Sequence, residues 1–135
     1  MYEALKKRVE REKAFHNQEQ DVSKKASDFK KLFKNYFLNP SLVEMENYFS
    51  QVKNISNKNV LDFGCGYGKD FDDLLLKDNK LIGIDISELY IKHCTKYCNE
   101  KFPNKKFEFF AMDAHDLKFE DETFDLIIGR GILHH

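Results

Sequence analysis

One stretch constrains this chain more than any other: Val60-Leu61-Asp62-Phe63-Gly64-Cys65-Gly66-Tyr67-Gly68. An apolar run of strand character breaks, within one residue, into a loop with glycine at every second position. Glycine has no Cβ, so such a loop takes left-handed backbone angles and lets a ligand lie directly against the main chain. Between a strand and a helix it forms the first turn of a nucleotide- or nucleoside-binding α/β sheet. The dinucleotide fingerprint G-x-G-x-x-G needs a third glycine at the position held here by Lys69. The pattern from Asp62 to Gly68 is instead D-x-G-x-G-x-G.

The flanking sequence supplies the strand and the helix. Residues 59–63 read as a first strand and 68–77 as its helix; Lys80-Leu81-Ile82-Gly83-Ile84-Asp85-Ile86 reads as a second strand. Ser87 then caps a helix running to about residue 101. A third strand is expected over 106–111 and, after a loop carrying Asp113, Asp116 and Asp121, a fourth over 124–128. Strands alternating with helices predict a parallel sheet with right-handed crossovers. Upstream, Tyr2, Leu5 and Val9 fall at helical spacing in a segment dense in Lys, Arg and Glu, which predicts a weakly anchored amphipathic helix. Phe29, Leu32, Phe33, Tyr36 and Phe37 make a stronger stripe, ended by Asn39-Pro40. A further helix carries Leu42, Met45, Phe49 and Val52 on one side. The expected organisation is a helical cap region, 1–53, followed by a nucleoside-binding domain, 54–135.

Bulk properties narrow the partners. A net charge of -1 gives no general pull toward nucleic acid, and the N-terminal lysines alternate with glutamates rather than forming a basic face. Mean hydropathy is -0.62, and no window approaches the roughly 18 apolar residues of a membrane span. The first residues lack the apolar stretch of a secretory signal, so a cytoplasmic protein is expected. Cys94 and Cys98 share one face of a helix, while His93 points about 100° away and no second ligand pair exists, which favours core packing over a metal site.

In open parallel sheets the ligand sits beyond the C-terminal strand ends. Past strand one stand Gly64, Gly66 and Gly68, whose amides suit a carboxylate or phosphate, with Cys65 as the small residue such a loop demands. Asp62, at the strand end, suits a cation such as an amino group or a sulfonium, directly or through water. Past strand two, Asp85 is positioned to accept both hydroxyls of a ribose, in bonds of ~1.5–3 kcal/mol each, or to stabilise the N-terminus of the next helix. Ile86 beside it covers one face of an adenine. Past strand three, Met112-Asp113-Ala114 offers a carboxylate to the adenine amino group and a main-chain amide to a ring nitrogen, or simply makes a polar turn. Past strand four comes Gly129-Arg130-Gly131-Ile132-Leu133-His134-His135, where Arg130 either attracts a carboxylate or phosphate or is solvated.

Taken together, VLDFGCGYG, LIGIDIS, AMDAHDL and FDLIIGRGILHH resemble, in order and at normal separation, the four cofactor motifs of the class I S-adenosylmethionine-dependent methyltransferases, in the manner of types 11 and 25. The resemblance spans about residues 55–135. It implies an α/β Rossmann-like three-layer sandwich that binds S-adenosyl-L-methionine and releases S-adenosyl-L-homocysteine. It also implies in-line transfer of the methyl group to a small-molecule or lipid-like acceptor. Gly64 and Gly66 would pass under the methionine part and Asp62 would reach its amino group. Asp85 would hold the ribose, Ile86 touch adenine and Asp113 bind its amine, with Gly129 and Arg130 facing the methionine end. His134 and His135 are the positional candidates for a general base, or else helix-start residues; His16 and His115 have weaker claims.

The family's sheet runs 3-2-1-4-5-7-6, so this chain is expected to supply its first four strands. It would then be a truncated longer protein, half of a split enzyme, or a minimal domain that self-associates through the open edge of strand four (Phe124, Leu126, Ile127, Ile128). A half-domain that binds cofactor or partner without catalysis is the alternative to an enzyme. A nicotinamide dehydrogenase is disfavoured by Lys69.

Overall fold

Short β-branched and aromatic runs build the sheet. In the computed structural model, which describes residues 2–17, 47 and 49–130, β1 (Asn59–Phe63), β2 (Lys80–Asp85), β3 (Phe107–Ala111) and β4 (Leu126–Ile128) pair in parallel. Their order is β3-β2-β1-β4, the order expected for the first four strands. β1 and β2 lie in the middle, and Val60, Leu61, Leu81 and Ile84 are shut off from water, as parallel strands covered on both faces must be. β4 is an edge, and Ile127 on it is 61% exposed.

One face of the sheet is covered by α2 (Phe71–Leu76) and α3 (Glu88–Lys101). Phe71, Leu74 and Leu75 pack with Cys94, Cys98 and Phe102, and with Phe49 and Val52 of the helical segment before β1. Cys94 and Cys98 are therefore core residues, as their shared face predicts. On the opposite face Leu61, Ile82 and Ile84 are covered by Phe63, Met112, Phe119 and Phe124. α1 (Tyr2–Asn17) meets the N-terminal end of α3 through Lys13–Glu88 at 2.8 Å and through Ser87 Oγ, which donates to Asn17 Oδ1 at 3.0 Å. Ser87 caps α3 as expected, its Oγ accepting from the Tyr90 amide. The stripe Phe29–Phe37, together with Leu42 and Met45, lies outside the described residues. No described helix is long and apolar enough to cross a membrane.

The helix after the glycine loop begins at Phe71 rather than at 68. Gly68 sits at φ +78, in a turn that the helix cannot include. A Cβ there would also fall 2.4 Å from the Phe71 ring, so glycine is required at 68 by packing as well as by backbone angle. β4 likewise starts two residues late, at Leu126, because Phe124 turns edge-on to Phe119 with ring centroids 5.1 Å apart.

Asn79, 1% exposed, ties the approach to the sheet together. Its Nδ2 donates to Ile55 O at 2.8 Å and Leu74 O at 2.9 Å, and its Oδ1 accepts from Lys58 N–H at 3.0 Å. Asn79→Ala strips the partner from Lys58 N–H and from Ile55 O, each worth ~1–3 kcal/mol when left unsatisfied, while Leu74 O keeps the amides of Lys77 and Asn79 at 3.4 Å. The expected loss is about 3 kcal/mol, read as a lower urea midpoint at unchanged slope.

Candidate functional site

Register assembles the site. Asp62 of β1 lies opposite Gly83 of β2 and Ile128 of β4. Side chains two residues apart share a face of the pleat, so Asp85 and Arg130, each two residues further along, flank the C-terminal end of β1. Asp85 in turn lies opposite Ala111, which brings Met112–Ala114 beside it. All four strands thus deliver their polar residues to one edge of the sheet.

A cavity of about 520 Å³ opens there. Of the residues singled out in the sequence, Gly64, Gly66, Asp85, Ile86, Met112, Asp113, Ala114 and Arg130 line it. Asp62, Cys65, Gly68 and Gly129 do not; Asp62 and Cys65 are buried. His134 and His135 lie outside the described residues, as does the side chain of His16.

The loop amides are spent inside the protein. Gly64 N–H and Cys65 N–H both donate to Ile84 O at 2.9 Å, Gly66 N–H to Asp85 Oδ2 at 2.9 Å, and Gly68 N–H to Cys65 O at 3.0 Å. The expectation that they cradle a carboxylate or phosphate is corrected accordingly: this loop offers an anion no free row of donors. What it offers is a bare surface. A Cβ on Gly66, at φ +53, would meet nothing within 4 Å. The loop is pinned from behind by Cys94, whose thiol donates to Gly66 O at 3.2 Å.

Two carboxylates present themselves differently. Asp85 Oδ1 accepts from Ser87 N–H at 2.9 Å while Oδ2 holds Gly66, and each oxygen retains a second lone pair for a ligand hydroxyl. Asp113 Oδ1 accepts from both the amide and Nδ1 of His115, each at 2.9 Å, which leaves Oδ2 for a ligand donor. Partial burial works against ionisation of Asp113, but the bonds from His115 prevail and hold its carboxyl below the usual carboxylate range. His115 itself lines the cavity.

Arg130 is neither solvated nor an anion receptor awaiting a ligand. Its Nη2 lies 3.0 and 3.2 Å from the two oxygens of Asp70, its guanidinium stacks 3.7 Å over the Phe49 ring, and its side chain is 15% exposed. Asp62 stands close by. Burial, then the neighbouring charge of Asp70, push its carboxyl up to about 7, against the pull of Arg130, with Asp85 adding to the rise.

Sequence reasoning missed the roof. Leu5, Arg8, Val9 and Glu12, one stripe of α1, close the cavity opposite the sheet, with the Arg8 Nε–Glu12 Oε1 pair at 3.5 Å. The signal was present, since all four recur at three- and four-residue spacing, but that stripe alone says nothing about what it covers. Tyr90 and Phe63 complete the apolar lining. Among the described residues no His, Cys, Asp and Glu cluster could hold a metal ion.

Comparison with known proteins agrees with this architecture. The sterol 24-C-methyltransferase erg6 of Schizosaccharomyces pombe is 28% identical over 101 residues, 73% of this chain and 27% of that protein. The phthiotriol/phenolphthiotriol dimycocerosates methyltransferase of Mycobacterium leprae is 34% identical over 78 residues, 56% of this chain and 27% of its own length. The chain thus spans little more than a quarter of either relative. A crystal structure from Methanococcus maripaludis, described as an S-adenosyl-L-methionine-dependent methyltransferase, superposes with a TM-score of 0.59 at 23% identity, covering 86% of this chain and 53% of that one; it supports the fold. The methyltransferase domain model matches residues 60–135, more than half of the sequence. With the glycine turn, the strand-end acids and the strand order all in place, the chain belongs to the methyltransferase domain family.

Proposed function

We propose that the cavity above Gly66 binds S-adenosyl-L-methionine and that the chain serves methyl transfer to a lipid-like or other small acceptor. One observation carries this reading. The amides of the glycine loop are bonded within the protein, while two carboxylates and several apolar faces line the cavity. That lining suits a nucleoside bearing a sulfonium and an ammonium; a phosphate-bridged cofactor would need the donors that are already used.

The residues fit the group. Asp85 takes the ribose hydroxyls, Ile86 and Met112 flank the adenine, and Asp113 Oδ2 accepts from its amine. The bare Gly64–Gly66 backbone lies under the methionine part, and Asp62 acts on its amino group through water. The bound cofactor supplies a methyl group already activated by its sulfonium. The protein's part is to hold the acceptor in line and keep water out. Positioning alone lowers such a barrier by ~7–11 kcal/mol, and Leu5, Arg8, Val9 and Glu12 of α1 form one wall of the cavity. The two relatives, one a sterol and one a phthiotriol/phenolphthiotriol dimycocerosates methyltransferase, support a lipid-like acceptor. Three free cysteines, all buried, accord with a reducing, cytoplasmic setting.

Titration calorimetry tests the reading. S-adenosyl-L-homocysteine is expected to bind one-to-one and NADH not at all; a folded chain indifferent to S-adenosyl-L-homocysteine refutes it. Gly66→Ala places a methyl in the open space over the loop at a backbone cost of ~1–2 kcal/mol, so the variant is expected to fold and to bind about tenfold more weakly. A second reading, a half-domain that holds cofactor or a partner chain without turnover, is favoured by Ile127 on β4, a large apolar side chain that is 61% exposed. It expects the same binding but no S-adenosyl-L-homocysteine produced from S-adenosyl-L-methionine.

A further inference from the structure

We propose that His115 is a positioning residue for purine recognition: by occupying Oδ1 of Asp113 it leaves Oδ2 as the acceptor for the exocyclic amino group of the bound adenine, and so fixes the preference for an amino over an oxo group there. The inference deepens the cofactor reading above and rests on it in naming the purine.

The placement comes from the end of β3. Met112 N–H donates to Asp85 O at 2.9 Å, which ties this end to β2, and Asp116 N–H donates to Asp113 O at 3.0 Å, which closes the turn that follows. Within that turn His115 bonds to Asp113 twice, through its amide and through Nδ1, each at 2.9 Å and both to Oδ1. A carboxylate oxygen carries two lone pairs, so Oδ1 is filled. Among the described residues no hydrogen bond reaches Oδ2. Both Asp113 and His115 line the cavity. Burial works against ionisation of Asp113, yet the bonds from His115 hold its carboxyl below the usual range, so near neutral pH it only accepts.

The amide bond alone would leave the carboxylate half free. An Asp that takes the N–H two residues on is a common turn device, but one donor on one oxygen lets the group swing about Cβ–Cγ. Water competes as well, because the Asp113 side chain is 37% exposed. A second donor on the same oxygen removes that freedom before a ligand arrives, and such preorganisation lowers the cost of binding. The imidazole supplies it. Because an ionised carboxylate offers no proton, Nδ1 must carry one, and the neutral ring is held in its Nδ1–H tautomer.

A carboxylate joined to an imidazole is also the arrangement of a general base, but the place of this pair in the sheet is wrong for that. β3 stands two strands from β1. At about 4.8 Å per strand the pair lies roughly 10 Å to the side of the glycine loop. His115 therefore belongs to the purine end, beyond hydrogen-bond reach of an acceptor lined up on the methyl group. At that end an amino group donates to Oδ2, whereas an oxo group sets acceptor against acceptor, and a site built to bond one group rejects the analogue lacking it.

Calorimetry with S-adenosyl-L-homocysteine and its oxo counterpart, S-inosyl-L-homocysteine, tests the assignment in wild type, His115→Ala and His115→Asn, and NMR of the imidazole nitrogens at pH 8 reads the tautomer in the ligand-free chain. Wild type is expected to prefer the adenosyl compound by about a hundredfold and to show Nδ1–H. In His115→Ala the affinity for that compound is expected to fall about five- to tenfold, and the preference to shrink by the same factor. His115→Asn is expected to restore both, since its Nδ2 is bonded to Cγ as Nδ1 is and donates to the same oxygen. A side chain that served only the turn would lower the melting temperature of the alanine variant and leave the preference alone. A preference within about twofold of wild type in folded His115→Ala, one that His115→Asn does not restore, an Nε2–H tautomer, or equal affinity of wild type for the two compounds overturns the proposal. If wild type binds neither compound while Nδ1 keeps its proton, the pairing with Asp113 stands, and the cofactor reading is overturned with the purine assignment that rests on it.

Discussion

Asp85→Ala is expected to weaken S-adenosyl-L-homocysteine binding roughly a hundred- to ten-thousand-fold. The change removes two charge-assisted bonds to ribose of ~1.5–3 kcal/mol each, and every 1.4 kcal/mol is a factor of ten. The carboxylate also has work inside the protein, holding Gly66 N–H through Oδ2 and Ser87 N–H through Oδ1, both at 2.9 Å. The two roles separate in the measurement. Were Asp85 only a tie between the glycine loop and α3, the alanine variant would melt at a lower temperature and bind within about tenfold of wild type. Asp85→Asn sharpens the distinction, because its amide group turns one acceptor into a donor facing an N–H that is already a donor. That variant is expected to lose stability through this internal clash, as the alanine does through its lost ties, and to lose affinity as well, so a binding loss larger than the stability loss accounts for is the mark of the ribose role. Calorimetry on both, alongside thermal melts, decides; wild-type affinity in Asp85→Ala would remove the ribose from the cavity.

Much of this site is legible in the sequence because parallel sheets place ligands by strand ends, and strand ends are local features. Val60–Phe63 followed by Gly64, and Leu81–Ile84 followed by Asp85, announce their turns within a few residues. Asp85, Ile86 and Met112–Ala114 accordingly fall on the cavity wall where spacing puts them. Glycine is less informative about purpose. Gly66 and Gly68 look alike in sequence, yet one faces open space and the other is forced by the Phe71 ring. The same holds for amides, since nothing in D-x-G-x-G-x-G says that Ile84 O and Asp85 Oδ2 will take the donors. Contacts between distant residues are harder still. Asp70 and Arg130 lie 60 positions apart, and only the β1–β4 pairing brings them together. α1 was legible as a helix but not as a roof, because its Leu5–Val9–Glu12 stripe is too weakly apolar to reveal which surface it meets.

Asp62→Asn is expected to stabilise the fold above neutral pH, by about 4 kcal/mol at pH 8. The native carboxyl is pushed up to about 7 by burial and by Asp70, whereas in the unfolded chain it titrates near its ordinary value of 3.8. Between those two values the folded protein holds a proton that the unfolded chain has lost. Stability contributed by this group is therefore complete below about pH 4, declines as pH rises, and is gone above about pH 7. Roughly three units at ~1.4 kcal/mol each give the magnitude. Asparagine keeps the shape and carries no charge, so the variant lacks this slope, and its advantage over wild type grows from pH 4 to pH 7 and is level beyond. Urea unfolding of both proteins at pH 5 and pH 8 measures the gap directly; an equal gap at the two values contradicts a carboxyl forced to ionise in a buried place. The gain in stability should come with weaker binding of S-adenosyl-L-homocysteine at pH 8, where wild-type Asp62 is charged.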